Sequence, residues 1–295
     1  MVTPISIEHT LILVFSESTI KVGYVGEFTY RQSLSVEGIW VQGHIANVEK
    51  LISKATQLGI EYACTTAIFV MPPATDLLIK QQILQHNVYF QGILFLDNLI
   101  ASAMGQGKTT STVLHLENTT AAIGFVQSGE LVENYTFNYP ESPIDGIHPN
   151  QATQLSYSHI NCMREEYLGT DLTAQLTNLP GKNTTIKINP NYNKLKEILN
   201  KIVEIRAKRN LKKGSSLIVS GNLTRIKGIK KYIQDHLINN NMMEEAILFN
   251  ITDLETQFVG TSLIGNNNFS KYLFITKEDW EIYKQDIFEI KAINK

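Results

Sequence analysis

A strand–turn–strand pattern occurs twice in this chain, roughly a hundred residues apart, and that recurrence constrains the fold more than any other feature. The first copy runs from Thr10 to Phe15, turns over Ser16-Glu17-Ser18-Thr19, and returns from Ile20 to Val25. The second runs from Ala121 to Val126, turns over Gln127-Ser128-Gly129-Glu130, and returns from Leu131 to Tyr135. A further apolar run, Ser111 to Leu116, reads as a buried strand, as does Ser215 to Ser220. Short apolar runs joined by small polar turns form hairpins, and a repeated hairpin points to internal duplication.

Helical patterns lie between and after these hairpins. Asn47 to Leu58 has apolar positions at helical spacing and ends before Gly59. Pro72-Pro73 followed by Thr75-Asp76 reads as a turn with an N-cap, continued by a helix from Leu77 to His86. Phe95 to Met104 reads as a helical run closed by Gly105. Asn191 to Lys208 alternates apolar and charged residues at a period of 3.6, and Ile226 to Leu237 is a basic helix. The stretch 138–187 is rich in Pro, Asn, Gly and Thr, yet carries too many aromatics for a disordered tract. Strands interleaved with helices give an α/β fold.

At 295 residues, with 43% hydrophobic and 18% charged, the chain has the balance of a globular protein. A net charge of −2, with no basic arm and no basic–aromatic interleaving, argues against nucleic acid as a partner. No run reaches the roughly 18 apolar residues of a membrane helix, which argues against a membrane partner. The N-terminus has Glu8 and His9 where a secretory signal would place basic residues. Cys64 and Cys162 are too few for a disulfide framework and suit a reducing compartment.

Two motifs invite chemistry and fail on context. Ser102 to Thr109 approaches a phosphate-binding P-loop through Gly107-Lys108-Thr109, but the run before it is helical and the run after it is a strand. A P-loop needs the reverse order, so a helix cap and turn is the better reading. His115 stands inside an apolar strand without metal-ligand spacing and reads as a core or cleft residue. No nucleophile–base signature is present, so the metal and catalytic assignments are both none.

Five segments in order resemble the actin and actin-related protein family. They are Lys21 to Glu27, Phe69 to Pro73 with the helix after it, Ala101 to Thr110, Ser220 to Ile229, and Phe258 to Ile264 continuing to Phe274-Ile275-Thr276-Lys277. The resemblance implies an actin-like two-lobed α/β fold of the actin, chaperone and sugar-kinase superfamily, with reduced outer subdomains. Residues 1–112 would form lobe one, completed by 255–295, and 113–254 would form lobe two. The cleft between them would be lined by Ser16, Glu17, Lys21, Glu117, Asn118, Gly221 and Asn222.

Departures from the family pattern bear on function. Where the family's two phosphate loops carry aspartates, this chain has Val14 and His115, and Ser16 replaces a glycine. Glycine there lets backbone N–H groups approach phosphate, and aspartate organises the cation. Glu117 would face phosphate with negative charge. Asn98 and Ala122 occupy the positions of the water-positioning Gln and His, and Ile226 that of an aromatic beside the base. The resemblance therefore implies no catalysis and no retained cofactor, with residual ATP or ADP binding left open by the surviving Gly221 loop.

The chain is shorter than actin, with the losses between Gly26 and Phe69 and between Gly129 and Gly221. By resemblance these regions build the outer, pointed-end face, while the inner, barbed-end face persists. A subunit with one face docks on a filament end and stops growth. Within the family this is similar to the short, divergent pointed-end subunits of fungal dynactin, whose partners would be the actin-related filament protein and other dynactin subunits in the cytoplasm and cytoskeleton. The alternatives are an active ATPase or phosphotransferase on the same fold, or a nuclear actin-related subunit of a chromatin remodeller.

Overall fold

The computed structural model describes residues 9–16, 19–35, 38–41, 44–73, 75–117, 120–138, 173–176, 184–187, 193–209, 216–221, 229–240, 250–252 and 254–291. Among them the strands form two large mixed sheets and two small hairpins. The first sheet holds β1 (Thr10–Phe15), β2 (Thr19–Tyr24), β3 (Gln32–Ser35), β6 (Thr66–Met71), β7 (Gly92–Asp97) and β15 (Ile275–Thr276), in the order β15-β7-β6-β1-β2-β3. The second holds β8 (Ser111–Leu116), β9 (Thr120–Gln127), β10 (Glu130–Asn138), β13 (Leu217–Ser220) and β14 (Asn250–Thr252), in the order β10-β9-β8-β13-β14. The small hairpins pair β4 (Trp40–Val41) with β5 (His44–Ile45) and β11 (Thr173–Leu176) with β12 (Thr184–Lys187).

The two large sheets repeat one plan. β1 is antiparallel to β2 and parallel to β6, which is parallel to β7. Likewise β8 is antiparallel to β9 and parallel to β13, which is parallel to β14. Helices fall at the same points: α1 (Val48–Glu61), α2 (Leu77–His86) and α3 (Asn98–Gly105) in the first unit, α4 (Asn193–Lys208), α5 (Ile229–Asn239) and α6 (Leu254–Gly265) in the second. Among the described residues, and leaving aside the small pairs β4–β5 and β11–β12, each unit therefore reads β-β-β-α-β-α-β-α. The duplication expected from sequence is present, but its register differs. The counterpart of the Thr10–Val25 hairpin is β8–β9, turning at 117–120, whereas the 121–135 hairpin corresponds to β2–β3.

Burial explains these elements. β1, β6, β7 and β8 are buried at every position, as expected of central strands covered on both faces. α1 buries Leu51, Ile52, Ala55, Leu58 and Gly59 along one stripe, and Asn47 caps it by accepting from Lys50 N at 2.8 Å. The stop expected at Gly59 does not occur. A Cβ there would fall 2.6 Å from the Tyr89 ring, so this glycine admits a neighbour rather than ending the helix. The helix expected over Phe95–Met104 begins instead at Asn98. Phe95 to Asp97 belong to β7, and Asp97 accepts from Leu99 N at 2.7 Å to start α3.

On the outer face of the second sheet, Leu195, Ile198, Leu199, Ile202 and Ile205 of α4 pack with Ile233 and Leu237 of α5. The rest of the apolar interior is one larger cluster that includes Phe15, Phe69, Phe90 and Phe95 and reaches Val113 and Ile218 of the second sheet. Among the described residues the chain passes between the sheets through α3 and α6. These two helices meet backbone to backbone at Gly105 and Gly260. The C-terminal helices α7 (Lys277–Tyr283) and α8 (Ile287–Ile290) then close the edge of the first sheet. No described helix is long and apolar enough to cross a membrane.

Candidate functional site

The two hairpin turns closest to the sheet junction share one geometry. Ser16 N donates to Thr19 O at 2.9 Å, and Glu117 N donates to Thr120 O at 2.8 Å. In the first turn Ser16 is buried, and its hydroxyl bonds both the carbonyl and the N–H of Thr19 at 3.1 Å. The serine thus closes its own turn and takes up an N–H that a glycine-rich loop would present to a ligand. Val14 pairs opposite Lys21, which is buried with its ammonium 3.7 Å from the centroid of the Tyr30 ring.

At the second turn the side chains converge on His115. Its Nε2 lies 3.1 Å from Glu117 Oε1 and 3.1 Å from Asn98 Nδ2. Its Nδ1 lies 3.0 Å from Ser220 Oγ and 3.3 Å from Gln257 Nε2. Ser102, one turn into α3, donates to Asn98 O at 2.7 Å, and its Oγ lies 3.2 Å from Ser220 Oγ. All six residues are buried. Ala122 faces His115 in the β8–β9 register and leaves room for the ring. Gly221 has φ +100°, and a Cβ there would sit 2.2 Å from Leu116 O. Glycine is required because β13 ends against the β8 backbone.

Of the expected cleft residues, Ser16, Lys21, Glu117 and Gly221 take these positions. Glu17, Asn118 and Asn222 lie outside the described residues, as does Ile226. His115, read from sequence as a core or cleft residue, is buried at the centre of a polar cluster. From sequence, Ser220 stands out only as the start of the Gly221 segment, Ser102 only within the Gly107-Lys108-Thr109 motif, and Gln257 not at all. The available signal was a polar residue ending or interrupting each apolar run, but the partners lie up to 142 residues away in sequence.

The cluster is rich in acceptors. Asn98 Oδ1 and Gln257 Oε1 are buried without a hydrogen-bond partner among the described residues, and Glu117 adds a carboxylate. Phosphate-binding loops offer backbone N–H groups and positive charge, whereas the described residues of this cluster bring a carboxylate and two orphaned amide oxygens. Ser220, His115 and Glu117 stand in line like a nucleophile, base and orienting acid. All three are buried, however, so a substrate carbonyl has no approach to Ser220 Oγ. No group of His, Cys, Asp and Glu among the described residues could hold a metal ion.

Gly107-Lys108-Thr109 does not form a phosphate loop. It follows α3 and precedes β8; Gly107 N donates to Met104 O and Lys108 N to Ala103 O, closing the end of the helix. Cys64 is buried, and burial pushes its thiol up to about 11, away from reactivity. Cys162 lies outside the described residues.

Asp97 provides a pH test of this junction. Burial raises its carboxyl to about 6 from an ordinary 3.8, against the opposing effects of the Leu99 N–H, Lys80 and His115. Between those two values the folded state holds the extra proton, so stability falls as pH rises through the window and is flat above it. Asp97→Asn keeps an acceptor for Leu99 N and removes the buried charge. At pH 7.5 the variant is expected to be more stable by roughly 2–3 kcal/mol, with the difference vanishing below about pH 4. Urea denaturation across that range measures it.

No family model matches the sequence, and no curated protein matches it.

Proposed function

We propose that this chain is an actin-related protein without catalytic activity that caps the pointed end of the actin-like filament of dynactin. In that role it supports dynein-dependent motility on microtubules and the positioning of nuclei or spindles, working in the cytoplasm on the cytoskeleton. The observation that carries the reading is an apolar end on the first sheet's side. There the turn 25–28 lies against α6, with Gly26 N donating to Ser262 Oγ at 2.8 Å. Phe28, Leu263, Phe269 and Tyr272 expose 71%, 51%, 75% and 45% of their surface on these neighbouring segments. Phe269 and Tyr272 lie between Phe258–Ile264 and Phe274–Lys277, the segments that the family resemblance places in the inner subdomains, and are candidates for the barbed-end face.

Two further features support the reading. The repeated β-β-β-α-β-α-β-α unit, with its crossover helices paired between the sheets, suits an actin-like, two-lobed fold. Among the described residues, the connections that would carry outer subdomains hold the short pairs β4–β5 and β11–β12. The non-catalytic half rests on the site itself, where His115, Glu117 and Asn98 fill the junction with acceptors and Tyr30 covers the Lys21 ammonium. A protein with one docking face makes one longitudinal contact and cannot propagate a polymer.

The test is to image the assembly with this subunit labelled. Label is expected at the pointed end, and Phe269→Asp with Tyr272→Asp is expected to abolish it while leaving the melting temperature within about 2 °C, because both side chains are exposed. Label along the filament, at the barbed end, or self-polymerisation of the purified chain would refute the proposal.

A further inference from the structure

We infer that His115 is the pin of an internal latch that fixes the two sheets in one relative orientation without any ligand. The inference goes beyond the capping role, because a cap could be built on either a rigid or a hinged molecule. It starts from connectivity. Among the described residues the chain passes from the first sheet to the second through α3 and returns through α6. Gly105 and Gly260 bring these helices into backbone contact, since a Cβ at either would fall within 2.0 Å of a carbonyl oxygen on the other. Two crossover helices touching at one close crossing make a hinge, about which packed sheets can rotate.

The imidazole ring removes that freedom. Asn98 immediately follows the last residue of β7 and so marks the boundary of the first sheet, while His115 is the penultimate residue of β8 and Ser220 the last of β13 in the second. From one ring, Nε2 reaches Asn98 at the start of α3, and Nδ1 reaches Ser220 and Gln257 of α6. Separating the second sheet from the two helices breaks the Asn98 and Gln257 contacts together, and sliding α6 past α3 breaks at least one of them, while Ser220, paired with His115 inside the second sheet, holds the ring in place. All the groups are buried, so water does not replace a broken contact until the junction opens. Ser102 extends the tie by bonding Ser220 from the next turn of α3. Two hydrogen-bonding faces on one rigid ring suit this task, because the ring cannot lengthen to follow a moving partner.

Hydrogen exchange on the full chain tests the latch, using His115→Ala and Gln257→Met. His115→Ala is expected to speed exchange in 98–105 and 254–265 by about tenfold or more, while β1 and β6 change by less than about twofold. Saturating Mg·ATP is expected to leave the wild-type pattern unchanged. Should His115→Ala fail to fold, Gln257→Met removes one ring contact at nearly constant volume, and about threefold faster exchange in the same two segments is required. Unchanged exchange at 98–105 and 254–265, equal acceleration of every segment, or protection of the wild type by nucleotide would overturn the inference. Loss of pointed-end label with exchange intact would count against the capping role alone.

Discussion

Gly260→Ala is expected to destabilise the protein by about 3 kcal/mol or more, lowering its melting temperature by roughly 6–12 °C. The direction opposes helix propensity. Gly260 lies inside α6, where alanine is favoured over glycine by about 0.5–1 kcal/mol. The new methyl, however, would sit 1.9 Å from Ala101 O and 2.6 Å from Gly105 N. Both are backbone atoms of α3, so no side chain can rotate aside and the helices must separate. Separation would also draw Gln257 away from His115 and disturb the contacts between the sheets. Gly105→Ala is expected to behave alike, its methyl lying 2.0 Å from Thr256 O. Leu263→Ala, on the same helix but exposed, should cost less than about 1 kcal/mol and serves as the control. Chemical denaturation of the three variants measures the series; a Gly260→Ala protein as stable as wild type would remove the close crossing from the account of the hinge.

Much of the fold was legible because its central strands are continuous apolar runs. Thr10–Phe15 and Ser111–Leu116 were read to the residue, and Leu77–His86 was readable from Asp76 as its cap. The errors have specific causes. Phe95 to Met104 is apolar except at Asp97, Asn98 and Ser102, so periodicity alone did not divide strand from helix; the divider is Asp97, whose carboxylate caps α3. Gly59 was taken for a stop because glycine usually ends helices, whereas here it makes space for Tyr89 and Phe90. The repeat was visible but matched to the wrong hairpin, since two consecutive strand pairs look alike without their parallel neighbours.

The site was legible as a set of absences more than as a structure. Set against the resembled family, Val14, His115, Asn98 and Ala122 each depart from its phosphate-binding pattern, an expectation that stands or falls with that resemblance. What replaces that pattern could not be seen, because Asn98, His115, Ser220 and Gln257 come from four separate stretches of chain. Each looks ordinary alone: a helix start, a strand histidine, a strand end, and a glutamine in an apolar helix. Their meeting depends on the two crossover helices, and hence on the duplication.

Asp279→Asn is expected to cost about 3 kcal/mol, although it changes one atom and keeps an acceptor for its helix cap. Asp279 and Thr276 form a capping box at the start of α7, with Asp279 N donating to Thr276 Oγ1 at 2.9 Å and Thr276 N to Asp279 Oδ2 at 3.1 Å. The same Oδ2 lies 3.0 Å from Lys291 Nζ, which also donates to Phe274 O at 2.7 Å. Both side chains are buried; burial pushes the Lys291 pKa down, and the Asp279 carboxylate opposes that. Removing the anion leaves an ammonium in the interior with the Phe274 carbonyl as its acceptor among the described residues, which is the costly way to break a buried pair. Lys291→Met alone should also destabilise, since it strands the carboxylate. The double variant should recover to within about 1 kcal/mol of wild type, giving a coupling of roughly 2 kcal/mol or more in a double-mutant cycle. Additive costs would mean that the pair is solvated rather than sealed. The consequence reaches the proposed contact, because Phe274 and β15 directly follow the turn bearing Phe269 and Tyr272. Asp279→Asn should therefore weaken pointed-end labelling at temperatures where the rest of the chain remains folded, and the double variant should restore it.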